Sequence, residues 1–169
     1  MLSSEALRFS QTAFDTRAVF CEQLLQALHR AQREVWMADA NFAAWPLNRP
    51  DFSEALHHFL HASAANRLYL LTLDGERIAA AAPRFMAVLR TFSTAARCRV
   101  VPAHGAARFG EACSMLVADR SFVVRRFHRD HTRGIAELDP GGVRVWIDQF
   151  ESLWEEAAPC LVGTSLGLP

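Results

Sequence analysis

The sequence predicts an α/β domain, with a mixed, mostly parallel sheet that carries helices on both faces. Two observations predict this class. Apolar residues recur at spacings of three and four in four segments, as they do along one face of a helix. Between these segments lie short, nearly continuous apolar runs such as 67-RLYLLTL-73, which are typical of strands covered on both sides. Alternating helices and strands favour a sheet built from crossover connections.

In the first half of the chain, residues 1–11 are predicted to form a short strand or a loose arm. A helix is expected from about Thr12, because apolar residues follow at helical spacing as far as Leu28. A strand is predicted over residues 34–42. Asp51, followed three residues later by Glu54, resembles a capping box at the start of a second helix.

In the second half, strands and helices continue to alternate before two strands meet at a turn. Pro83 fits the first position of a helix. We expect one domain over residues 1–158 and a loose tail over 159–169. The remaining predicted elements are a strand at 67–73, a helix at 83–96, a strand at 98–102, a polar loop at 103–111, two strands within 111–124, a strand at 133–138 and a helix at about 143–158.

Composition narrows the function classes. The chain has 18 basic and 18 acidic residues, so it lacks a global positive field for nucleic acid or membranes. Every basic residue is Arg, which together with heavy Ala use indicates a GC-rich bacterial source and excludes lysine-based mechanisms. The four cysteines form no CxxC pair, so we expect reduced thiols in a cytoplasmic protein without a cofactor. No apolar run is long enough to span a membrane, and the N-terminus does not resemble a signal peptide.

The segments 112-ACSMLVAD-119 and 150-FESLW-154 carry a resemblance. Together with the element order, they resemble one half of the phospholipase D-like superfamily, whose motif is H-x-K-x-x-x-x-D. In this alignment Asp119 matches the motif Asp. Ala112 stands where the family has its nucleophilic His, and Ser114 stands where it has the phosphate-binding Lys.

The resemblance therefore implies the fold without the reaction. Ala112 has no nucleophile and Ser114 no positive charge, so a covalent phospho-histidine route is absent. We expect a catalytically inactive domain that acts as a binding or assembly module, in which Asp119 caps a β-turn. Members of the superfamily build their site from two halves, so the resemblance implies a homodimer or docking on another protein.

A basic cluster follows the motif segment. Its arginines either bind an anion, such as a phosphate of nucleic acid or of a lipid headgroup, or pair with Glu151, Glu155 and Glu156 of the last helix. If residues 121–126 form a strand, Arg125 and Arg126 point to opposite faces. The anion-binding candidates are Arg120, Arg125, Arg126, His128, Arg129, His131 and Arg133.

Other polar residues leave further alternatives open. An enzyme with altered chemistry would use His104, His128 or His131 together with Asp119. His57 and His61 have the spacing found in zinc-binding helices, and His128 and His131 could also form a metal-binding pair. Neither pair has a third ligand at a characteristic spacing in the sequence, so no metal is predicted.

The end of the first long strand is also polar. Asp39 and Asn41 follow its apolar residues, at a position where strands of α/β sheets face a ligand crevice. These two side chains either line such a crevice or cap the turn that follows the strand.

Overall fold

The computed structural model describes residues 11–110 and 114–160, which form a mixed sheet covered by helices on both faces. The predicted α/β class is therefore confirmed. The strands are β1 (Gln11–Phe14), β2 (Glu34–Ala38), β3 (Arg67–Thr72), β4 (Ala96–Val100), β5 (Ser114–Ala118), β6 (Phe122–Arg126), β7 (Gly134–Leu138) and β8 (Ala158–Pro159).

The strands lie in the order β1-β7-β6-β5-β2-β3-β4-β8. Only the β2–β3 and β3–β4 neighbours are parallel among the described pairs. The parallel part is smaller than the predicted mostly parallel sheet, because β5, β6 and β7 follow one another as antiparallel neighbours. Consecutive strands joined by short turns must run antiparallel, whereas a parallel pair needs a long crossover.

Helices form one layer on each face of the sheet. α1, α2 and α4 cover one face, where Phe20, Phe52 and Phe85 are fully buried. On the opposite face α6 packs Phe150 and Leu153 against strand residues of the second core cluster. The helices are α1 (Arg17–Arg30), α2 (Pro50–Ala62), α3 (Gly75–Ala81), α4 (Pro83–Thr91), α5 (Ala106–Phe109) and α6 (Val143–Glu156).

The prediction of a helix from Thr12 is wrong by one element. Residues Gln11–Phe14 form β1 and pair antiparallel with β7. The first helix starts at Arg17, because the side chain of Thr16 accepts a hydrogen bond from the amide of Val19 at 3.3 Å and so caps its first turn.

One further expectation needs correction, and another is only partly described. The capping box at Asp51 is absent: α2 begins at Pro50 after Arg49, and Asp51 forms an ion pair with Arg49. At the start of the predicted loose tail, Pro159 belongs to β8, which pairs with β4. Residues 161–169 lie outside the described part of the chain, so the domain boundary at residue 158 stays a prediction.

No helix within residues 11–110 or 114–160 combines the length and the apolar character that crossing a bilayer requires.

Candidate functional site

One edge of the sheet, called here the carboxyl edge, brings together several chain ends. The parallel strands β2, β3 and β4 all end there, β6 also ends there, and β5 begins there. Helices α1 and α2 also begin at this edge. The end of α1 leads into the start of β2, and α2 follows the end of β2, so both helices run antiparallel to that strand. In open α/β sheets ligands bind at this kind of edge.

A buried polar cluster lies at the carboxyl edge. Asp39 follows β2, Ser114 begins β5 and Arg126 ends β6, and their exposures are only 2%, 3% and 5%. Because β5 lies between β2 and β6 and pairs with both, strand pairing brings these three residues together. The cluster was not predicted as a unit, although Asp39 and Arg126 were each considered.

Asp39 is saturated with hydrogen bonds. Its Oδ1 accepts from the amides of Asn41 at 3.1 Å and Phe42 at 2.8 Å. Its Oδ2 accepts from the Trp45 indole at 3.0 Å and from the Ser114 hydroxyl at 2.5 Å. Asp39 therefore caps the turn after β2, which is one of the two predicted alternatives, and its side chain is buried.

Arg126 completes the cluster with an ion pair. One of its terminal nitrogens donates to Asp39 Oδ2 at 3.0 Å, and its Nε donates to the Ser114 hydroxyl oxygen at 3.0 Å. The guanidinium also lies 5.4 Å from the ring centroid of Phe20. Because its charge is matched by a buried carboxylate, Arg126 is held as an internal partner of Asp39.

The motif-like residues lie at opposite ends of β5. Ser114 is at the carboxyl edge, whereas Asp119 follows the far end of the strand, whose length from Ser114 to Ala118 is about 13 Å. Ala112 lies outside the described residues. The comparison of these positions with a catalytic motif stays a prediction.

Asp119 performs a different task from the predicted local turn cap. Asp119 and Arg120 both have positive φ angles, of 51° and 55°, and form the tight β5–β6 turn. The Asp119 carboxylate accepts from the amides of Gln32 at 2.8 Å, Arg33 at 2.8 Å and Glu34 at 3.0 Å. It therefore fixes the hairpin to the α1–β2 connection. It lies far from His128 and His131, so these groups do not form one site.

The predicted basic cluster is divided among different surroundings. Arg120 pairs with Glu34 at 2.6 Å and Glu151 at 3.3 Å at the end opposite the carboxyl edge. Arg125 lies on the α6 face, 4.3 Å from the ring centroid of Trp146, while Arg126 faces α1. The predicted opposite orientation of these two neighbours is confirmed. Burial lowers the pKa of Arg125, whose Nε is buried without a partner in the described structure.

The rest of the cluster forms an exposed loop at the carboxyl edge. The amide of Phe127 donates to the carbonyl of Arg133 at 2.9 Å and closes the loop between β6 and β7. Its exposed polar side chains are His128, Arg129, Asp130, His131 and Arg133. Four of the seven predicted candidates, His128, Arg129, His131 and Arg133, therefore lie exposed in this loop.

The pairing expected with the last helix is found in part. Glu151 binds Arg120, whereas Glu156 pairs with Arg108 of α5. His104 is exposed in a short turn after β4, also at the carboxyl edge. Within the described ranges, no group of three or more side chains of the metal-binding types lies together.

Sequence reasoning missed a cleft at the carboxyl edge. This arginine cleft has a volume of about 710 Å³ and is formed by the start of α1, the loop after β2 and α3. Its cationic side chains, Arg17, Arg49 and Arg77, come from these three separate elements. They are spaced 28 to 32 residues apart in the sequence, so no local cluster signals them.

Solved structures with a similar fold include two phospholipase D-type proteins. Nuc from Salmonella typhimurium, a phospholipase D family member, is 10% identical with a TM-score of 0.60, over 90% of this chain and 99% of that chain. NucT from Helicobacter pylori is 9% identical with a TM-score of 0.58, over 90% of this chain and 100% of that chain. At these identities the similarity concerns the fold alone, and it confirms the predicted phospholipase D-like fold.

A third similar structure is that of TrmBL2, an archaeal chromatin protein with a novel mode of DNA binding. It is 16% identical with a TM-score of 0.61, and the match covers 89% of this chain. This chain spans about half the length of TrmBL2, 54% of it.

No match was found among curated protein sequences. A family model, the domain of unknown function DUF7931, matches residues 16–163. That range contains β2 to β8, all six helices and the buried cluster at the carboxyl edge. The chain therefore belongs to the DUF7931 family, with a phospholipase D-like fold.

Proposed function

We propose that this protein is a phospholipase D-like domain that binds a phosphate-bearing ligand without hydrolysing it. The observation that carries the proposal is the buried Asp39–Ser114–Arg126 cluster at the carboxyl edge. In the sequence alignment Ser114 has the position of the family's phosphate-binding Lys. Its hydroxyl instead donates to one charged partner and accepts from the other.

Phosphoryl transfer needs uncompensated positive charge where the transition state develops negative charge. The guanidinium that contacts Ser114 is that of Arg126, and the Asp39 carboxylate, 3.0 Å away, neutralises its charge. A phosphate moved into this position would meet the oxygens of Asp39, with unfavourable like-charge contact. These contacts support a closed structural cluster in place of a catalytic centre.

Exposed cations around the closed cluster support binding. The loop residues Arg129 and Arg133 and the three arginines of the cleft lie at the same edge. Arginine suits phosphate because its planar donors bind two oxygens at once. TrmBL2, which shares the fold, is described as binding DNA, so nucleic acid is one candidate source of the phosphate.

Hydrolysis is tested with bis(p-nitrophenyl) phosphate and a single-stranded oligonucleotide. We expect no product above buffer and no phosphorylated histidine by mass spectrometry. Turnover that disappears in H104A, H128A or H131A would refute the non-hydrolytic function, because those are the remaining nucleophile candidates at the carboxyl edge.

Oligonucleotide binding is measured by fluorescence anisotropy over a salt series. If the loop contributes, R129A/R133A weakens binding. It also reduces the slope of log affinity against log salt concentration by the amount expected for the loss of about two phosphate contacts. The matched control is R90A/R97A, which removes two exposed arginines elsewhere on the surface. Equal weakening by the two double variants would indicate nonspecific attraction instead.

We also propose a homodimer as the assembly. The alignment covers 99% of Nuc and 100% of NucT, which supports one structural unit per chain. Light scattering at high micromolar concentration is the test, with the mass of two chains as the expected result. A mass of 18.9 kDa throughout the concentration range would contradict self-assembly.

A further inference from the structure

The arginine cleft has the composition of a site for an anion with an apolar part. Its described lining contains three arginines and two asparagines and no carboxylate. The remaining lining is apolar and includes buried Phe42, Trp45 and Ile78. Mixed lining of this kind distinguishes a ligand pocket from a merely charged surface.

The cleft is supported by fixed structure. The Nε of Arg17 donates to the carbonyl of Ala44 at 3.3 Å, which fixes the side chain against the loop after β2. Asn48 accepts from the amide of Arg84 at 3.1 Å, which joins the same loop to α4. The indole of Trp45, on the cleft wall, donates to Asp39 of the buried cluster. The closed cluster thus shapes the neighbouring cleft.

The electrostatic balance favours an anion. Arg49 pairs with Asp51, which lies outside the lining, and Arg17 and Arg77 have no ion pair to the residues that the structure describes. The dipole of α1 adds partial positive charge at its N-terminus, and the first turn of this helix contains no acidic residue. Phosphate oxygens satisfy several guanidinium donors at once, which a single carboxylate does less completely.

The volume indicates the size of the ligand. About 710 Å³ is within the range of sites for small organic ligands and exceeds what a bare phosphate fills. We propose that the arginine cleft binds a phosphate ester with a ring-bearing group, of the size of a mononucleotide. Arg17 and Arg77 bind the phosphate, Arg49, which already pairs with Asp51, adds donors at the margin, and the apolar wall accommodates the organic part. This inference rests on the proposed binding function and names its ligand class.

The test is calorimetric titration of the full chain with AMP, CMP, GMP, UMP and pyrophosphate, with adenosine as the uncharged comparison. We expect saturable one-to-one binding of at least one mononucleotide, tighter than pyrophosphate, and none of adenosine. R77E is the main variant, since the amide of Arg77 caps α3 through Asp74 and is kept in the variant, whereas its side chain makes no described hydrogen bond. It should weaken binding about 10- to 100-fold.

The triple variant R17A/R49A/R77A should abolish measurable binding. Its control, R90A/R97A/R144A, removes the same number of exposed charges elsewhere and should leave the affinity within about twofold. Thermal unfolding of each variant checks that it is folded. If the triple variant is unstable, the affinity of R77E alone tests whether the cleft binds the nucleotide. Failure of every mononucleotide to bind, or equal weakening by the control, overturns the proposal.

A second titration distinguishes two sources of the phosphate, a free nucleotide and the end of a nucleic-acid strand. Binding of a decanucleotide that requires its 5′-phosphate and is weakened by R77E indicates a strand end. Insensitivity of the decanucleotide to the 5′-phosphate, with mononucleotide binding intact, indicates a free nucleotide. Hydrolysis of a bound nucleotide would refute the non-hydrolytic function and leave the cleft assignment standing.

Discussion

The Asp39 carboxylate and the Arg126 guanidinium lie 3.0 Å apart in the protein interior, although 87 residues separate them in the sequence. This contact exists only because β5 lies between the strands that carry the two residues. The polar centre of the carboxyl edge thus depends on strand order.

Replacing Asp39 with Asn should destabilise the protein strongly. D39N leaves the charge of Arg126 buried without a counter-ion, for an expected loss of about 3–5 kcal/mol in the free energy of unfolding. Urea denaturation measures it. The control is D148N, because Asp148 forms an exposed pair with Arg144 at 4.0 Å, and its loss should stay below about 1 kcal/mol. Equal losses would show that the buried pair contributes no more than a surface pair.

Asp119 should prove structural. D119A removes the acceptor for three amides and leaves alanine at a φ of 51°, so we expect a loss of about 2–4 kcal/mol. D119N retains one acceptor and tolerates the left-handed conformation better, so its loss should be smaller. Hydrogen exchange should accelerate at residues 32–34 in D119A. Unchanged exchange there would contradict the role of Asp119 in joining the hairpin to the α1–β2 connection.

Gly134 should not tolerate a side chain. A β-carbon there would lie 2.1 Å from the carbonyl oxygen of Arg125 and 2.4 Å from a ring carbon of Phe14. G134A is therefore expected to lower the free energy of unfolding, measured by chemical denaturation, by about 1–3 kcal/mol. At Gly141 the nearest contact of an added β-carbon is 3.6 Å, to Asp139, so G141A should change stability by less than about 0.5 kcal/mol. The reverse order of these two variants would show that the β6–β7 packing is misassigned.

Cys160 should be more reactive than an ordinary thiol. A hydrogen bond from the Cys98 thiol lowers the pKa of Cys160. The same hydrogen bond, and to a lesser extent burial, raises the pKa of Cys98. Alkylation of Cys160 by iodoacetamide should therefore persist as the pH falls below about 8.5, where ordinary thiols protonate. Peptide mass spectrometry measures the rates. C98A should shift the pH midpoint of Cys160 upward and C98S less so, since serine retains a donor; identical midpoints would contradict the hydrogen-bond explanation.

Local signals predicted much of the architecture. The apolar run 67–73 gave β3, Pro83 begins α4 as expected, and the strand at 121–126 divides Arg125 from Arg126. Phe14 was assigned to a helix because its spacing to Ala18 is helical, and the sequence does not reveal that β1 pairs with a strand 120 residues away. Tertiary pairing overrode the local pattern.

The candidate site was less predictable. Asp39 and Arg126 were each noticed, but their contact required knowing that β2, β5 and β6 are neighbours. The cleft arginines were missed for the same reason, since Arg17, Arg49 and Arg77 belong to three elements that meet only in the fold. Charge clustering along the chain pointed to residues 120–133, which the sheet distributes over both faces and both ends.

Among the residues that the structure describes, the short strand β8 forms one margin of the sheet. Successive amides of a strand point in opposite directions, and the amide of Cys160 donates to Cys98 of β4 at 2.9 Å. The neighbouring position, Pro159, would direct its N–H outward but has none. A foreign strand approaching this side therefore finds no donor there, and proline at a sheet margin is a known safeguard against aggregation. We expect P159A to increase β-rich aggregation on prolonged incubation.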